Sequence, residues 1–310
     1  MLQSWVFLWC LLSSVLSYST YEKKEHSLHL PHQIANWYSY GSTIIQPDHI
    51  SLTKDQRSQR GGIYSTMPVV YRDWEVQLAF HVHGAGTTLF GDGLAFWYIE
   101  KPPSEGSAFG NQDVFRGLGV FFDTYANQNG AHSHEHPYIS AMVNDGSKKY
   151  DHDKDGTLTE LAGCSTDFRN HKPAVAIIRF VKNQLSVSMK YDGTDKEVDC
   201  FVVDDVRLPI GYYFGVSAET GDLSDNHDIL SISTYQVDVP RSPEELAVDA
   251  ALIEPSAGHE APMRDRVDDQ PVSRSWSLLY WLIILAILGG CAYLARGYYR
   301  RRQRQLKRLY

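Results

Sequence analysis

Four short stretches of this 310-residue chain carry acidic, amide and glycine groups of the kind one composite site would use. They are Gly91-Asp92-Gly93, Asp123-Thr124-Tyr125-Ala126-Asn127, Asp151-His152-Asp153-Lys154-Asp155-Gly156 and Gly221-Asp222-Leu223. Carboxylate, amide and backbone oxygens are what a hard divalent cation such as Ca2+ takes, about six to eight at a time. A ligand presenting vicinal hydroxyls needs a carboxylate acceptor together with amide and backbone donors held rigidly. Taken singly, each stretch reads as an ordinary surface turn. Their joint occurrence carries the reading of a metal-organised, hydroxyl-binding site.

The elements that must position these loops are strands. Trp74-Glu-Val-Gln-Leu-Ala-Phe-His-Val82 alternates apolar and polar residues with period two, the mark of a half-buried strand, and Leu185–Tyr191 and Ile229–Val237 behave similarly. Leu94–Ile99, Leu118–Phe122 and Ala174–Val181 are continuous apolar runs, expected where strands lie buried between layers. Asn144-Asp145-Gly146, Tyr191-Asp192-Gly193 and Leu208-Pro209 punctuate them as turns. No long helical period occurs before Pro240. From Pro240 to Ser275 the composition shifts to Pro, Asp, Glu and Ala, which reads as a stalk with a short helix around Glu244–Ala251. The expected fold class is all-β, a two-sheet sandwich on a stalk.

Both ends read as membrane signals. Residues 1–19 form an apolar stretch meeting small residues, expected as a signal peptide cleaved after Ser17 or Ser19, although no Lys or Arg precedes the apolar core. Residues 276–295 are an uncharged apolar run of the length that spans a bilayer as a helix. Trp276, Tyr280 and Trp281 stand at one end and Tyr293, Tyr298 and Tyr299 at the other, as interfacial aromatics do. The basic tail 296–310 follows, which places the C-terminus in the cytosol and the bulk of the chain in the lumen.

Formal net charge is −8, but Arg296, Arg300, Arg301, Arg302, Arg304, Lys307 and Arg308 are all in the tail; without these seven, 22 basic residues face 37 acidic ones, or −15. A nucleic-acid surface needs a basic footprint, so that class of partner is excluded for the lumenal part. Of four cysteines, Cys10 leaves with the signal and Cys291 lies in the membrane run, so Cys164 and Cys200 remain for a disulfide in an oxidising compartment. No Asn-x-Ser/Thr sequon is present.

On these residues the chain resembles the leguminous-type lectins of the animal secretory pathway, in their vesicular integral-membrane branch. The resemblance runs from His26 to Tyr310. It rests on Gly91-Asp-Gly-Leu-Ala-Phe-Trp-Tyr98, Phe122-Asp-Thr-Tyr125, Pro137-Tyr-Ile-Ser140, Tyr150-Asp-His152, Glu160-Leu-Ala-Gly-Cys164, Arg207-Leu-Pro209, Gly211-Tyr-Tyr-Phe-Gly215, Gly221–Asp228 and Lys307-Arg-Leu-Tyr310. It implies a concanavalin-like antiparallel jelly-roll sandwich over 24–239, then a stalk over 240–275 and one transmembrane helix. It also implies Ca2+-dependent binding of high-mannose N-glycans on cargo glycoproteins, without catalysis. Asp123 and Asp155 would then be carboxylate ligands of Ca2+, Tyr125 a carbonyl ligand, and Asn127 a bridge from metal to sugar. Asp92, after an expected cis peptide, would accept sugar hydroxyls, with Ser58, His152, Gly221, Asp222 and Leu223 as the remaining sugar contacts.

Two positions depart from the family pattern. Plant relatives carry a Glu two residues before the Asp of the Phe-Asp-Thr motif as a transition-metal ligand; here Phe121 stands there, so that second site is not expected. Ala126 replaces the usual Pro, which removes a fixed φ from the cation loop.

Competing readings are weaker. Asp151–Leu158 copies the first eight positions of an EF-hand loop, but the twelfth is Ala162 and no helices flank it. His132-Ser-His134-Glu-His136 could bind Zn2+ or respond to pH, yet it lacks an evident fourth ligand and reads as a solvated loop. A sandwich-fold glycoside hydrolase needs paired carboxyls on one strand face, and no such strand occurs. A protein-binding adaptor without sugar binding is disfavoured by the intact Asp92, Asn127 and His152. In the tail, Lys307-Arg308 occupy a dibasic retrieval position and Leu309-Tyr310 an export position, which implies vesicle coat partners and cycling between endoplasmic reticulum, intermediate compartment and Golgi.

Overall fold

The computed structural model describes residues 19–29, 31, 35–102, 104–127, 135–258 and 274–306. The expected signal peptide up to Tyr18, His132 and His134 of the histidine cluster, and the tail signals Lys307, Arg308, Leu309 and Tyr310 lie outside them.

In chain order the first strands are β1 (Ser19–Glu22), β2 (Trp37–Gly41), β3 (Ile44–Ile45), β4 (Ile50–Thr53), β5 (Arg60–Ser65), β6 (Trp74–His83) and β7 (Gly93–Ile99). There follow β8 (Arg116–Asp123), β9 (Tyr138–Asp145), β10 (Ala162–Ser165), β11 (Ala174–Val181), β12 (Gln184–Tyr191) and β13 (Val198–Val203). The last are β14 (Val206–Arg207), β15 (Tyr213–Glu219), β16 (Asn226–Asp238) and β17 (Ser256–Ala257), with α1 at Pro243–Ala247 and α2 at Arg274–Leu306.

Two antiparallel sheets form the sandwich. One runs β13-β12-β11-β6-β16-β4-β3, with β1 also paired to β16; the other runs β10-β9-β8-β7-β15-β5-β2. β6 alternates buried and half-buried residues along its whole length, as its sequence requires. Its inward residues meet those of the opposite sheet: the Trp74 ring lies 5.1–6.2 Å from the rings of Phe96, Tyr98 and Phe214 there, and 5.8 Å from Phe180 on the neighbouring strand β11. Side chains of this kind each stabilise the fold by about 1.5–3 kcal/mol on burial.

β7 is buried at every position, and β8 at all but its first. The reason is a second apolar layer outside the seven-stranded sheet, where Trp97, Phe109, Phe115, Phe121, Met142 and Tyr150 cluster. Both faces of these strands are therefore dry, which explains their unbroken apolar runs. Cys164 on β10 and Cys200 on β13 form the expected disulfide, with Cα atoms 5.4 Å apart, and so join the edge strands of the two sheets.

The folded unit is longer than the expected 24–239. β1 starts it, paired through Ser19–Glu22 with Tyr235–Asp238. Beyond Pro240, residues with a stalk-like composition are tied to the sandwich. Arg241 donates to both Asp73 oxygens, Arg72 donates to Glu245 O, Ala250 O accepts from Ile210 N, and β17 pairs with β14. These polar partners are supplied by the sheet rims, where composition alone does not reveal them. α1 is shorter than Glu244–Ala251 and opens with a Ser242–Glu245 capping box.

The C-terminal unit contains α2, a single helix of 33 residues that includes the apolar run 276–295. Among the described residues, no helix is long and apolar enough to cross a membrane; within the run, the side chains of 276–280 and 282 lie outside the described set.

Candidate functional site

The seven-stranded sheet delivers two of the four loops directly. Gly93 opens β7 and Asp123 closes β8, and the two are cross-strand partners, so Asp92 and Thr124–Asn127 emerge side by side. The Gly91–Asp92 peptide is cis, as the resemblance implies. Asp92 N donates to Glu219 O at 3.2 Å, and the Asp92 carbonyl accepts from both Thr124 N and Thr124 Oγ1 at 2.9 Å.

Asp123 is 3% exposed. Its Oδ1 accepts from Tyr125 N at 3.0 Å, while its buried Oδ2 has no hydrogen-bond partner. Asn127 N donates to Asp155 Oδ1 at 3.0 Å, and Asn127 Oδ1 is likewise buried without a partner. Asp155, buried and with φ of 50°, ends the 3-10 turn His152–Lys154. This turn connects strands without flanking helices, and Ala162 already belongs to β10; the EF-hand spacing here is a loop that brings a carboxylate oxygen of Asp155 within 4.8 Å of one from Asp123. Gly156 cannot be replaced without strain, since its φ is +65° and a Cβ would lie 2.3 Å from the Tyr150 ring.

An open pocket of about 480 Å3 lies over these groups, and its lining includes Asp92, Tyr125, Asn127, His152 and all of Gly221-Asp222-Leu223. A Cβ at Gly221 would stand 3.0 Å from Asp92 Oδ2, so glycine lets this loop approach the carboxylate closely. Ser58 does not line the pocket; exposed and with φ of 56°, it donates its backbone N–H to Gly221 O and supports the loop from behind. His152 sets its ring edge-on to Phe109 at 5.2 Å, and its buried Nδ1 has no partner.

Two features were not foreseen from the sequence. Arg60 donates to Glu219 at the pocket wall, where Glu219 also accepts from Gly110 N. His136, the last residue of the histidine cluster, places Nε2 3.8 Å from Asp123 Oδ2, and one ligand atom from each of Asp123, His136 and Asp155 falls within 4.8 Å of the others. The His-x-His-x-His pattern was the visible signal, but which histidine turns inward depends on the β8–β9 register, where Asp123 faces Tyr138.

The electrostatics are those of a cation site. Burial pushes the Asp92 carboxyl up to about 6, with Glu219 and Asp123 adding to the rise and His152 opposing it. A buried carboxylate oxygen of Asp123 and a buried amide oxygen of Asn127, neither with a hydrogen-bond donor, stand beside the buried Asp155 carboxylate and form a donor set that a hard oxygen-seeking cation completes. Ca2+ fits these residues. Phe121, where plant relatives carry a metal ligand, is 1% exposed, packs its ring 4.3 Å from that of Tyr150, and offers no ligand atom.

A two-sheet jelly roll with an oxygen-rich cation cradle beneath an open polar pocket defines the legume-lectin class. The Legume-like lectin family profile matches residues 19–243, and the chain belongs to that family. It is 41% identical over 326 residues to the human vesicular integral-membrane protein VIP36, covering 98% of this chain and 91% of that protein. The VIP36 exoplasmic/lumenal domain solved in a Ca2+/Man2-bound form superposes with a TM-score of 0.75 at 43% identity, over 77% of this chain and 99% of that one. A Ca2+/Man3GlcNAc-bound form of the same domain gives 0.74 at 44% identity, over 77% and 100%.

Proposed function

We propose that this chain is a membrane-anchored lectin of the secretory pathway that binds high-mannose N-glycans on glycoproteins through a Ca2+-organised site. The observation that carries the reading is the pair of buried oxygens without partners, Asp123 Oδ2 and Asn127 Oδ1, directly under a pocket lined by Asp92, His152 and the 221–223 loop. The family is one of carbohydrate-binding proteins, and no bond-breaking step is assigned to any residue.

In this reading Asp123 and Asp155 hold Ca2+ by carboxylates, Tyr125 by its carbonyl and Asn127 by its side-chain oxygen. Ca2+ held there would supply fixed positive charge between the loops, and Asp92 beside it would be favoured in its anionic form. Asp92 then accepts sugar hydroxyls, while the Asn127 amide, His152 and the backbone of Gly221-Asp222-Leu223 complete the hydrogen bonding. Ser58 acts by holding Gly221 in place. Charge-assisted bonds from hydroxyls to a carboxylate give the site orientation as well as affinity.

The membrane assignment rests on the uncharged run 276–295 and the basic residues after it, with the N-terminal apolar stretch as signal. We place the C-terminus in the cytosol, where Lys307-Arg308 and Leu309-Tyr310 engage vesicle coat components and cycle the protein between endoplasmic reticulum, intermediate compartment and Golgi as a cargo receptor. Replacing Lys307 and Arg308 by Ser moves the full chain forward in the pathway, read by imaging; an unchanged distribution removes retrieval from the account.

The test of binding is a glycan array probed with the full chain in detergent, with Ca2+ and with EDTA. Mannose-terminated glycans give signal only with Ca2+. Signal indifferent to EDTA, or absent from every mannose-bearing glycan, overturns the proposal.

A further inference from the structure

On the outer side of the eight-stranded sheet, β6 carries His81 and His83, two residues apart and so on one face. Their rings stack at 4.0 Å with planes 15° apart. Asp228 on β16 is the cross-strand partner of His81. Its Oδ2 lies 2.9 Å from His83 Nε2, while its Oδ1, on a side chain at least nine-tenths buried, has no hydrogen-bond partner and lies 3.6 Å from His49 Nε2. One ligand atom from each of His81, His83 and Asp228 falls within 4.8 Å of the other two.

We propose that His81, His83 and Asp228 form a second cation site, built for a borderline transition metal such as Zn2+ and separate from the Ca2+ cradle. Two imidazole nitrogens and one carboxylate oxygen make a three-ligand set with a fourth position for water or for His49. Imidazole favours Zn2+, Cu2+ or Ni2+ over the oxygen-seeking Ca2+. Stacked imidazoles repel one another when charged. Burial, with His83 and Lys172 adding to it, pushes the His81 ring down to about 4, which keeps that ring in the neutral, metal-ligating form at neutral pH. Lys172 also opposes an incoming cation, and the Asp228 carboxylate offsets it. A bound ion would bridge β6 to β16 beside Asn226, whose side chain bonds His83 O and Asp55 N.

The test is a Zn2+ titration of the full chain in detergent, against a chromophoric chelator and with Ca2+ saturating. One equivalent binds to the parent. His81→Gln and His83→Gln each weaken binding by at least ~10-fold, with folding checked by near-ultraviolet dichroism. X-ray absorption of the zinc-loaded parent shows a shell of two imidazoles with oxygen, independently of any variant. Zinc binding that survives both substitutions overturns the proposal. So does uptake abolished by Gln at His132, His134 and His136, or a spectrum without imidazole.

Discussion

Thr124 donates both its backbone N–H and its hydroxyl to the carbonyl oxygen of Asp92, each over 2.9 Å. The residue between two proposed cation ligands, Asp123 and Tyr125, thus clamps the residue that presents the proposed sugar acceptor. Any shift of the loop 123–127 is transmitted to Asp92 through two hydrogen bonds, which ties the proposed cation ligands to the proposed sugar acceptor.

Asp92→Asn and Asn127→Ala are each expected to weaken mannoside binding by tenfold or more while leaving the thermal transition in place. A hydrogen bond to a charged acceptor is worth roughly 1.5–3 kcal/mol, and both residues lie at the surface of the pocket rather than in the core. Titration calorimetry with a mannoside at saturating Ca2+ decides it; parent-like affinity in either variant removes the residue assignment.

Ca2+ is expected to raise the stability of the full chain by about 2.7 kcal/mol when free ion stands at ~100 times its dissociation constant, and EDTA to remove the gain. Asp123→Asn keeps an Oδ1 to accept from Tyr125 N but loses the negative charge, so its melting temperature should respond little to Ca2+. A shift as large as the parent's would place the ion elsewhere.

Replacing Cys164 and Cys200 together by Ala should lower unfolding free energy by roughly 3–4 kcal/mol, the chain-entropy value for a crosslink spanning 36 residues. Denaturant titration of parent and double variant measures this, and coincident midpoints would mean that the two sheet edges need no staple.

His26 is 2% exposed, set edge-on to Tyr71 and Phe214, and burial pushes its ring down to about 4. The folded chain keeps it neutral, whereas the unfolded chain protonates it below about 6.5. Its contribution is therefore whole above that pH and is lost as pH falls toward 4, by about 1 kcal/mol between pH 7 and 5.5. His26→Asn should flatten the pH dependence of stability by that amount; a slope equal to the parent's would assign it to other groups.

Period-two alternation made β6 legible, and unbroken apolar runs made β7 and β8 legible as strands dry on both faces. Three of the four loop motifs converge because they sit at the ends of β8, β7 and β15, adjacent strands of one sheet, while the fourth, 151–156, is carried in the loop between β9 and β10. His136 was not legible: its approach to Asp123 depends on a register between strands separated by a loop. The same holds for Arg60 and Glu219, partners 159 residues apart on β5 and β15. The tethering of 241–258 was hidden for a different reason, since its partners Asp73, Arg72 and Val206 carry no local mark of the segment they receive.

Phe121 has a further consequence. The flank of the cation cradle is a wall of interlocked rings from Trp97, Phe109, Phe115 and Tyr150. A scaffold of this kind is finished when the chain has folded and needs no second ion to erect it. The wall beside the proposed cradle is thus built from the hydrophobic core itself, and its shape is set by the same ring packing that holds the outer apolar layer together.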